Sequence, residues 1–349
     1  MDQAQDFDRT FERFQLIANG PALFNAVTTA LDFDLFRFLS DHPGSEFDAV
    51  QRFTEVPRHQ LRVLLHALCA TELVVKHDER YTNSEVAERL LASDAPESWR
   101  DTLLGWRRFQ YPAFPHTTQA LRTGTNTALS AYPGEGPTLY DRLSHDPETE
   151  AAYHASLGPF THLFAPALLD HAELSSVGNL LDVAGGAGTI AKMFADRYPH
   201  ATVTVFDMPS VTQLAAQSVP PHLAGRVRFH AGDLFQDTFP TGFDGVLFSH
   251  SLEVFSPEQN KTLLAKALDA LAPGGKIFAY GTTAPDDERS GLLAARLSLF
   301  LNVLAAGSGM AYPAKDYCAW MLDIGCADVK AFTDLPYEHG LVVGTKGSS

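Results

Sequence analysis

Residues 179–188 read Asn-Leu-Leu-Asp-Val-Ala-Gly-Gly-Ala-Gly, and residues 202–209 read Thr-Val-Thr-Val-Phe-Asp-Met-Pro. An apolar run stops abruptly at Gly185-Gly186-Ala187-Gly188, a helical stretch follows, and a second apolar run ends in Asp207. The order is strand, glycine turn, helix, strand, acid. Glycines let the backbone approach a ligand closely, and a helix N-terminus offers unpaired N–H groups. An acid closing the second strand can accept from both hydroxyls of a ribose. The stretch therefore predicts a nucleoside cofactor.

Outward from this stretch, strands at 179–183, 202–206, 227–230, 244–249 and 276–281 alternate with helices near 188–198, 210–217, 257–271 and 313–324. Such alternation predicts an α/β, doubly wound, mainly parallel sheet with its ligands at the carboxyl ends of the strands. Upstream, Leu23, Phe24, Val27, Ala30, Leu31 and Leu35 recur at helical spacing. Phe47–Val50 and Pro57–Leu65 read as two more helices, and Leu73–Lys76 with Tyr81-Thr82 reads as a small wing. Residues 96–175 read as helical and rich in aromatic side chains, most of them core and a minority facing a ligand. The expected division is 1–100, a helical winged domain; 101–175, a helical linker that helps line a substrate pocket; and 176–349, the nucleoside-binding domain.

Composition narrows the function. The chain has 349 residues, a formal net charge of −16 and 45% hydrophobic residues. So acidic a chain repels nucleic acid, whose affinity comes mainly from phosphate neutralisation. This argues against a ligand sensor with a DNA-binding wing. No apolar run is long enough for a transmembrane helix, and the acidic N-terminus lacks the pattern of a signal peptide. Cys69, Cys318 and Cys326 are odd in number and lack C-x-x-C spacing, which predicts reduced thiols and a cytoplasmic protein. His250 and Glu253 stand at i and i+3, but no third ligand accompanies them and no metal is expected.

Four further runs agree with the glycine turn: Asp207-Met208-Pro209-Ser210-Val211, Ala231-Gly232-Asp233-Leu234-Phe235, Phe248-Ser249-His250-Ser251-Leu252-Glu253 and Leu271-Ala272-Pro273-Gly274-Gly275. With them the sequence resembles the S-adenosylmethionine-dependent small-molecule O-methyltransferases of plants and bacteria, over essentially the whole chain. The resemblance implies a Rossmann-like class I methyltransferase domain behind a winged-helix domain that forms an intertwined homodimer. It implies that Gly185 approaches the methionyl part of S-adenosylmethionine and Asp207 the ribose. Asp233 would accept from the adenine amino group, while Leu234 and Phe255 sandwich the ring. Ser249 stands near where the family often has a Lys or Arg for the methionine carboxylate, so that contact is uncharged here. Candidate acceptor-lining residues are Trp106, Phe109, Tyr111, Phe114 and Leu157 upstream, and Phe160, Asn302, Met310 and Tyr312 beyond.

The acceptor side departs from the family. Its usual run His-x-Leu-His-Asp-Trp is here His250-Ser251-Leu252-Glu253-Val254-Phe255, so Glu253 stands where the general-base histidine would be. The second family acid has become Ala311. A carboxylate, with an ordinary pKa near 4.3, is a weak base for a phenol unless burial raises it. Glu253, with His250 beside it, is the candidate catalytic pair. The expected activity is methylation of a small aromatic metabolite, on oxygen by family default. Transfer to the carbon or nitrogen of an indole, enol or amine with Glu253 as base is the alternative. A further one is non-methylating chemistry that uses the cofactor's positive charge.

Overall fold

The structure is a computed structural model and describes residues 3–348. The chain falls into two compact units, Met1–Arg107 and Arg108–Ser349. The boundary thus lies a few residues beyond the expected 100, and residues 108–175 belong to the C-terminal unit instead of standing apart as a linker.

In the first unit, α1 (Gln3–Asp32) is followed by α2 (Leu35–Asp41), β1 (Ser45–Glu46), α3 (Phe47–Thr54), α4 (Arg58–Ala70), β2 (Val74–His77), β3 (Arg80–Asn83), α5 (Glu85–Ala87) and α6 (Arg100–Gly105). β3 pairs antiparallel with both β1 and β2. Asp78 and Glu79 both take positive φ, which suits the two-residue turn that returns β2 into β3. Leu31, Leu35, Phe36, Leu61, Leu65 and Leu68 form its core. This is the helical, winged arrangement expected from the sequence.

The second unit opens with α7 (Thr117–Thr123), α8 (Leu139–Leu143), α9 (Pro147–Leu169) and α10 (Ala172–Ser175). Then come β4 (Asn179–Val183), α11 (Thr189–Arg197), β5 (Thr202–Asp207), α12 (Pro209–Ala216), β6 (Val227–Ala231), β7 (Phe243–Ser249), α13 (Pro257–Ala270) and β8 (Leu271–Thr282). It closes with α14 (Leu292–Phe300), α15 (Ala314–Asp323), β9 (Asp328–Leu335) and β10 (His339–Thr345). Among the described residues these strands form one seven-stranded sheet, in the order β6-β5-β4-β7-β8-β10-β9. The pairs from β6 to β8 are parallel; β10 is antiparallel to β8 and to β9. β4 sits between β5 and β7, the point where the strand order reverses and where such sheets open a crevice for ligands. Two core clusters clamp the sheet, one around Phe206, Phe248 and Leu264, the other around Phe194, Val203 and Phe278.

The sequence reading did not contain β9 and β10. β9 alternates between exposed and half-buried residues, while β10 is almost wholly buried. β8 begins at Leu271, ahead of the expected 276, and the register against β7 slips between Phe243 and Gly245.

Candidate active site

The cofactor half is built by the carboxyl ends of β4, β5 and β7. Ala184 follows β4 with φ 55° and Gly186 and Gly188 follow at 58° and 69°, so the chain turns in the left-handed region before α11 begins. An alanine held there is strained, and strain of this kind gathers at ligand-binding turns. A Cβ on Gly185 would lie 2.6 Å from Asp182 Oδ2, so the glycine is required by the acid beneath it. Asp207 Oδ2 accepts the Gly186 N–H at 2.8 Å and Oδ1 accepts the Met208 N–H at 2.7 Å. The acid that closes β5 thereby ties down the glycine turn, and each oxygen retains a second lone pair for a ribose hydroxyl.

This half fits S-adenosylmethionine. Both carboxyl oxygens of Asp182 and the Ser249 hydroxyl are buried without a hydrogen-bond partner at the mouth of the crevice. Burial, with the Asp207 charge nearby, pushes Asp182 up to about 7. Burial raises Asp207 to about 6 against its two N–H bonds. Two acids of this kind favour a cationic ligand. Asp182 and Ser249 would hold the zwitterionic tail, and Asp207 the ribose.

The adenine side differs in detail from the sequence expectation. Asp233 is exposed and its Oδ1 accepts the N–H groups of Phe235 and Gln236, so one oxygen holds its own turn. Leu234 is half-buried, and its carbonyl accepts from Lys266 Nζ. Phe255 packs edge-on against Phe235 with ring centroids 5.3 Å apart. Phe235, which the sequence reading did not single out, is therefore a second aromatic wall.

The acceptor half centres on Glu253, on a short 3-10 turn directly after β7. Its side chain is 4% exposed and Oε1 is buried without a hydrogen-bond partner. Burial pushes its carboxyl up to about 8; its own N–H and that of Thr282 offset this in part. Room for the carboxyl comes from Gly281, where a Cβ would meet Oε1 at 1.9 Å. His250 Nδ1 lies 3.8 Å from Oε1, and His250 itself has φ 54°. Desolvation, then the nearby His339 ring, hold the His250 imidazole well below its usual range, hence neutral. The buried phenols of Tyr140 on α8 and Tyr317 on α15 feel the Glu253 charge and stay protonated.

The remaining candidates divide. Phe160 stacks edge-on with His250 at 5.4 Å, which places it beside Glu253's neighbour. Phe114 and Leu157 are half-buried against the Tyr153 cluster, and Met310 against the core around Phe248. Three candidates make structural contacts. Phe109 is 2% exposed and packs on Tyr153. Asn302 Nδ2 donates to the carbonyls of Ser298 and Gly309, and the Tyr312 hydroxyl donates to the Phe255 carbonyl at 2.8 Å. Tyr111 lies on a 3-10 turn, Tyr111–His116, and Trp106 falls in the N-terminal unit, edge-on to Trp99 at 5.6 Å. Ala311, where the family has its second acid, is fully buried. The structure adds Asp182, Phe235, Tyr140, Tyr317 and His339 to the candidates; Asp182 and Phe235 lie inside quoted sequence runs, while the other three carried no sequence signal. Among the described residues no group of His, Cys, Asp and Glu is arranged to hold a metal.

Residues 114–326 match the O-methyltransferase domain. The chain belongs to the O-methyltransferase domain family. Over 332 residues it is 30% identical to a 3-hydroxy-5-methyl-1-naphthoate 3-O-methyltransferase of Streptomyces sahachiroi, covering 95% of this chain and 94% of that one. It is 28% identical over 333 residues to an L-tyrosine C(3)-methyltransferase of Streptomyces lavendulae, covering 94% and 90%. Among solved structures it is similar to the S-adenosylmethionine-dependent methyltransferase SibL, with a TM-score of 0.83 and 29% identity over 96% of this chain and 99% of that one. As a member of this family the protein is an S-adenosylmethionine-dependent methyltransferase with a class I, Rossmann-like catalytic unit. No described helix is long and apolar enough to cross a membrane.

Removing the acid that closes β5 tests the cofactor half. Asp207→Ala is expected to weaken S-adenosylmethionine binding about 10- to 100-fold, the scale of losing hydrogen bonds to a charged group. Calorimetric titration measures it; an unchanged affinity would place the ribose elsewhere.

Proposed function

We propose that the protein methylates a small phenolic metabolite, with Glu253 accepting the hydroxyl proton. The observation that carries this reading is the buried Glu253 carboxyl at the end of β7, raised to about 8. A base is most effective when its pKa lies near working pH, and a phenol near 10 is then within its reach. S-adenosylmethionine supplies an electrophilic methyl group on a sulfonium. Glu253 takes the phenol proton, and the oxygen lone pair forms the new C–O bond. The electrons of the breaking C–S bond stay on sulfur as a neutral thioether. The aromatic neighbourhood of Phe160, Tyr140 and Tyr317 excludes water and holds a flat acceptor in line.

The same base supports a second reading, transfer to the ring carbon beside the hydroxyl, because a phenolate shares its charge with that carbon. It is favoured by the carboxylate in place of the family's histidine and by the likeness to a tyrosine C(3)-methyltransferase. Incubation with S-[methyl-13C]adenosylmethionine and a panel containing L-tyrosine and hydroxynaphthoates tests both. A labelled methyl ether supports the first reading and a labelled aryl methyl the second. Absence of S-adenosylhomocysteine formation across phenolic acceptors would overturn both.

We further propose a cytoplasmic homodimer. Support comes from the exposed, stacked row Phe7, Phe11 and Phe14 on α1, with Leu16 and Ile17 exposed beyond it, apolar surface of the kind monomers rarely leave bare. The free thiols of Cys69, Cys318 and Cys326 fit a reducing compartment. Light scattering should give twice the 38.1 kDa chain mass, and a monomer that persists at micromolar concentration would refute the dimer. Cell fractionation checks the compartment.

A further inference from the structure

We propose that His339 is a positioning residue for Glu253: it fixes which nitrogen of His250 carries the proton, and thereby keeps Glu253 a proton acceptor. The inference rests on the reading of Glu253 as the base.

His339 opens β10 and pairs in register with Thr282, the residue after Gly281, which makes room for the Glu253 carboxyl. It is fully buried. Its Nδ1 lies 2.8 Å from the Tyr337 carbonyl oxygen. A carbonyl only accepts, so Nδ1 carries the hydrogen. Burial pushes the ring down to about 4, so it is neutral, and its Nε2 presents a bare lone pair. That nitrogen is buried without a hydrogen-bond partner.

The rings around it are Phe160, Phe164, Tyr280 and His250. The phenylalanines have no proton to give, and the Tyr280 hydroxyl is committed to the Phe164 carbonyl at 2.7 Å. Thr282 Oγ1, across the register, does not reach His339 Nε2: each of the two atoms stands without a hydrogen-bond partner. His250 remains, with its centroid 5.0 Å away and its plane turned by 72°. A neutral His250 has one N–H. His339 Nε2 takes no hydrogen bond from it as the rings stand; turned to donate there from Nε2, His250 leaves Nδ1 bare toward Glu253 Oε1.

The consequence falls on the carboxyl. Facing a bare Nδ1, an ionised Glu253 meets a lone pair, whereas a protonated Glu253 finds an acceptor. Both effects favour the protonated form and so raise the proton affinity. The opposite tautomer would donate to the carboxylate and lower it. The other groups facing Glu253 are the neutral phenols of Tyr140 and Tyr317 and the N–H groups of Glu253 and Thr282. None of them changes charge near neutral pH.

The test reads protonation directly, without turnover. The full chain is saturated with S-adenosylhomocysteine and labelled with [15N]histidine and [δ-13C]glutamate; Glu253→Gln assigns the Glu253 carboxyl resonance. Long-range 1H–15N spectra should show His250 as the Nε2–H tautomer, and the carboxyl should titrate well above 4.5. In His339→Phe, which keeps the ring but has no lone pair, His250 should switch to Nδ1–H and the carboxyl midpoint should fall by roughly 1 unit or more. His339→Gln, whose carbonyl can still accept, should restore both. An Nδ1–H tautomer in the parent protein overturns the proposal even if the Phe variant fails to fold. An unmoved midpoint in a folded His339→Phe does so too. Failure of Glu253 as base shows separately, as full turnover in Glu253→Gln.

Discussion

Glu253→Gln loses turnover by about 100- to 10,000-fold, the usual worth of a positioned general base, while S-adenosylmethionine binds with unchanged affinity. The split follows from geometry. Glu253 belongs to the acceptor half, whereas the cofactor half rests on the glycine turn, Asp182 and Asp207. Glutamine keeps the shape and one carbonyl acceptor but cannot take a proton. Only the ionised carboxyl accepts a proton, so the rate of the parent protein should rise about tenfold per pH unit below about 8 and level off above it. The variant should lack that limb. Stability moves the other way. The folded carboxyl titrates near 8 and the unfolded one near 4.5, so the unfolded chain binds fewer protons between these values. The stability contributed by the neutral buried carboxyl is complete below 4.5 and is lost as pH rises through 8. Glu253→Gln should therefore melt higher than the parent at pH 9 and nearly level with it at pH 4.5. Near-normal turnover in the variant would show that proximity alone suffices.

Gly309→Ala destabilises the C-terminal unit by about 3 kcal/mol or more, which lowers its melting temperature by roughly 6–12 °C. The added Cβ would lie 2.1 Å from the Glu253 carbonyl oxygen and 2.6 Å from the Val254 carbonyl carbon. These are backbone atoms, so no side-chain rotation relieves the clash. Gly309 also holds φ 84°, a conformation that alanine resists. Relief must come from moving the Glu253–Val254 backbone, so turnover should fall with stability. Gly242→Ala is the control: its φ is 91° but nothing lies within 4 Å of the new Cβ. It should show the backbone cost alone, about 1 kcal/mol, with turnover intact. Differential scanning calorimetry and initial rates separate the two. A Gly309→Ala protein that melts with its parent would mean the loop is free to withdraw from Glu253.

Much of this was legible in the chain. The strand at 179–183 coincides with β4, and the others from 202 to 281 overlap β5 to β8, because each is a short apolar run bounded by turn residues. β9 and β10 were not legible. The pattern of β9 reflects an edge position, and β10 is a strand because β8 offers it an unpaired antiparallel neighbour. The turns at Glu88–Ala92, Trp106–Gln110 and Leu301–Ala305 widen into π-helix, a local adjustment to packing with no sequence signature. Aromatic and amide side chains suit a pocket and a core equally well, so sequence alone does not separate the two roles at Phe109, Asn302 and Tyr312.

The cofactor half was determined by sequence because its parts are neighbours. Three glycines within four residues and an acid closing the next strand state a turn, a helix start and a carboxylate tied to that turn through short-range backbone geometry. The acceptor half was decided by tertiary structure. Tyr140, His250, Glu253, Gly281, Gly309, Tyr317 and His339 come from α8, the ends of β7 and β8, a loop, α15 and β10, and only folding brings them together. The same glutamate on a surface would be an ordinary acid. Enclosed by the fold and stripped of water, it holds its proton more tightly, because desolvation penalises charge and no local sequence pattern encodes desolvation.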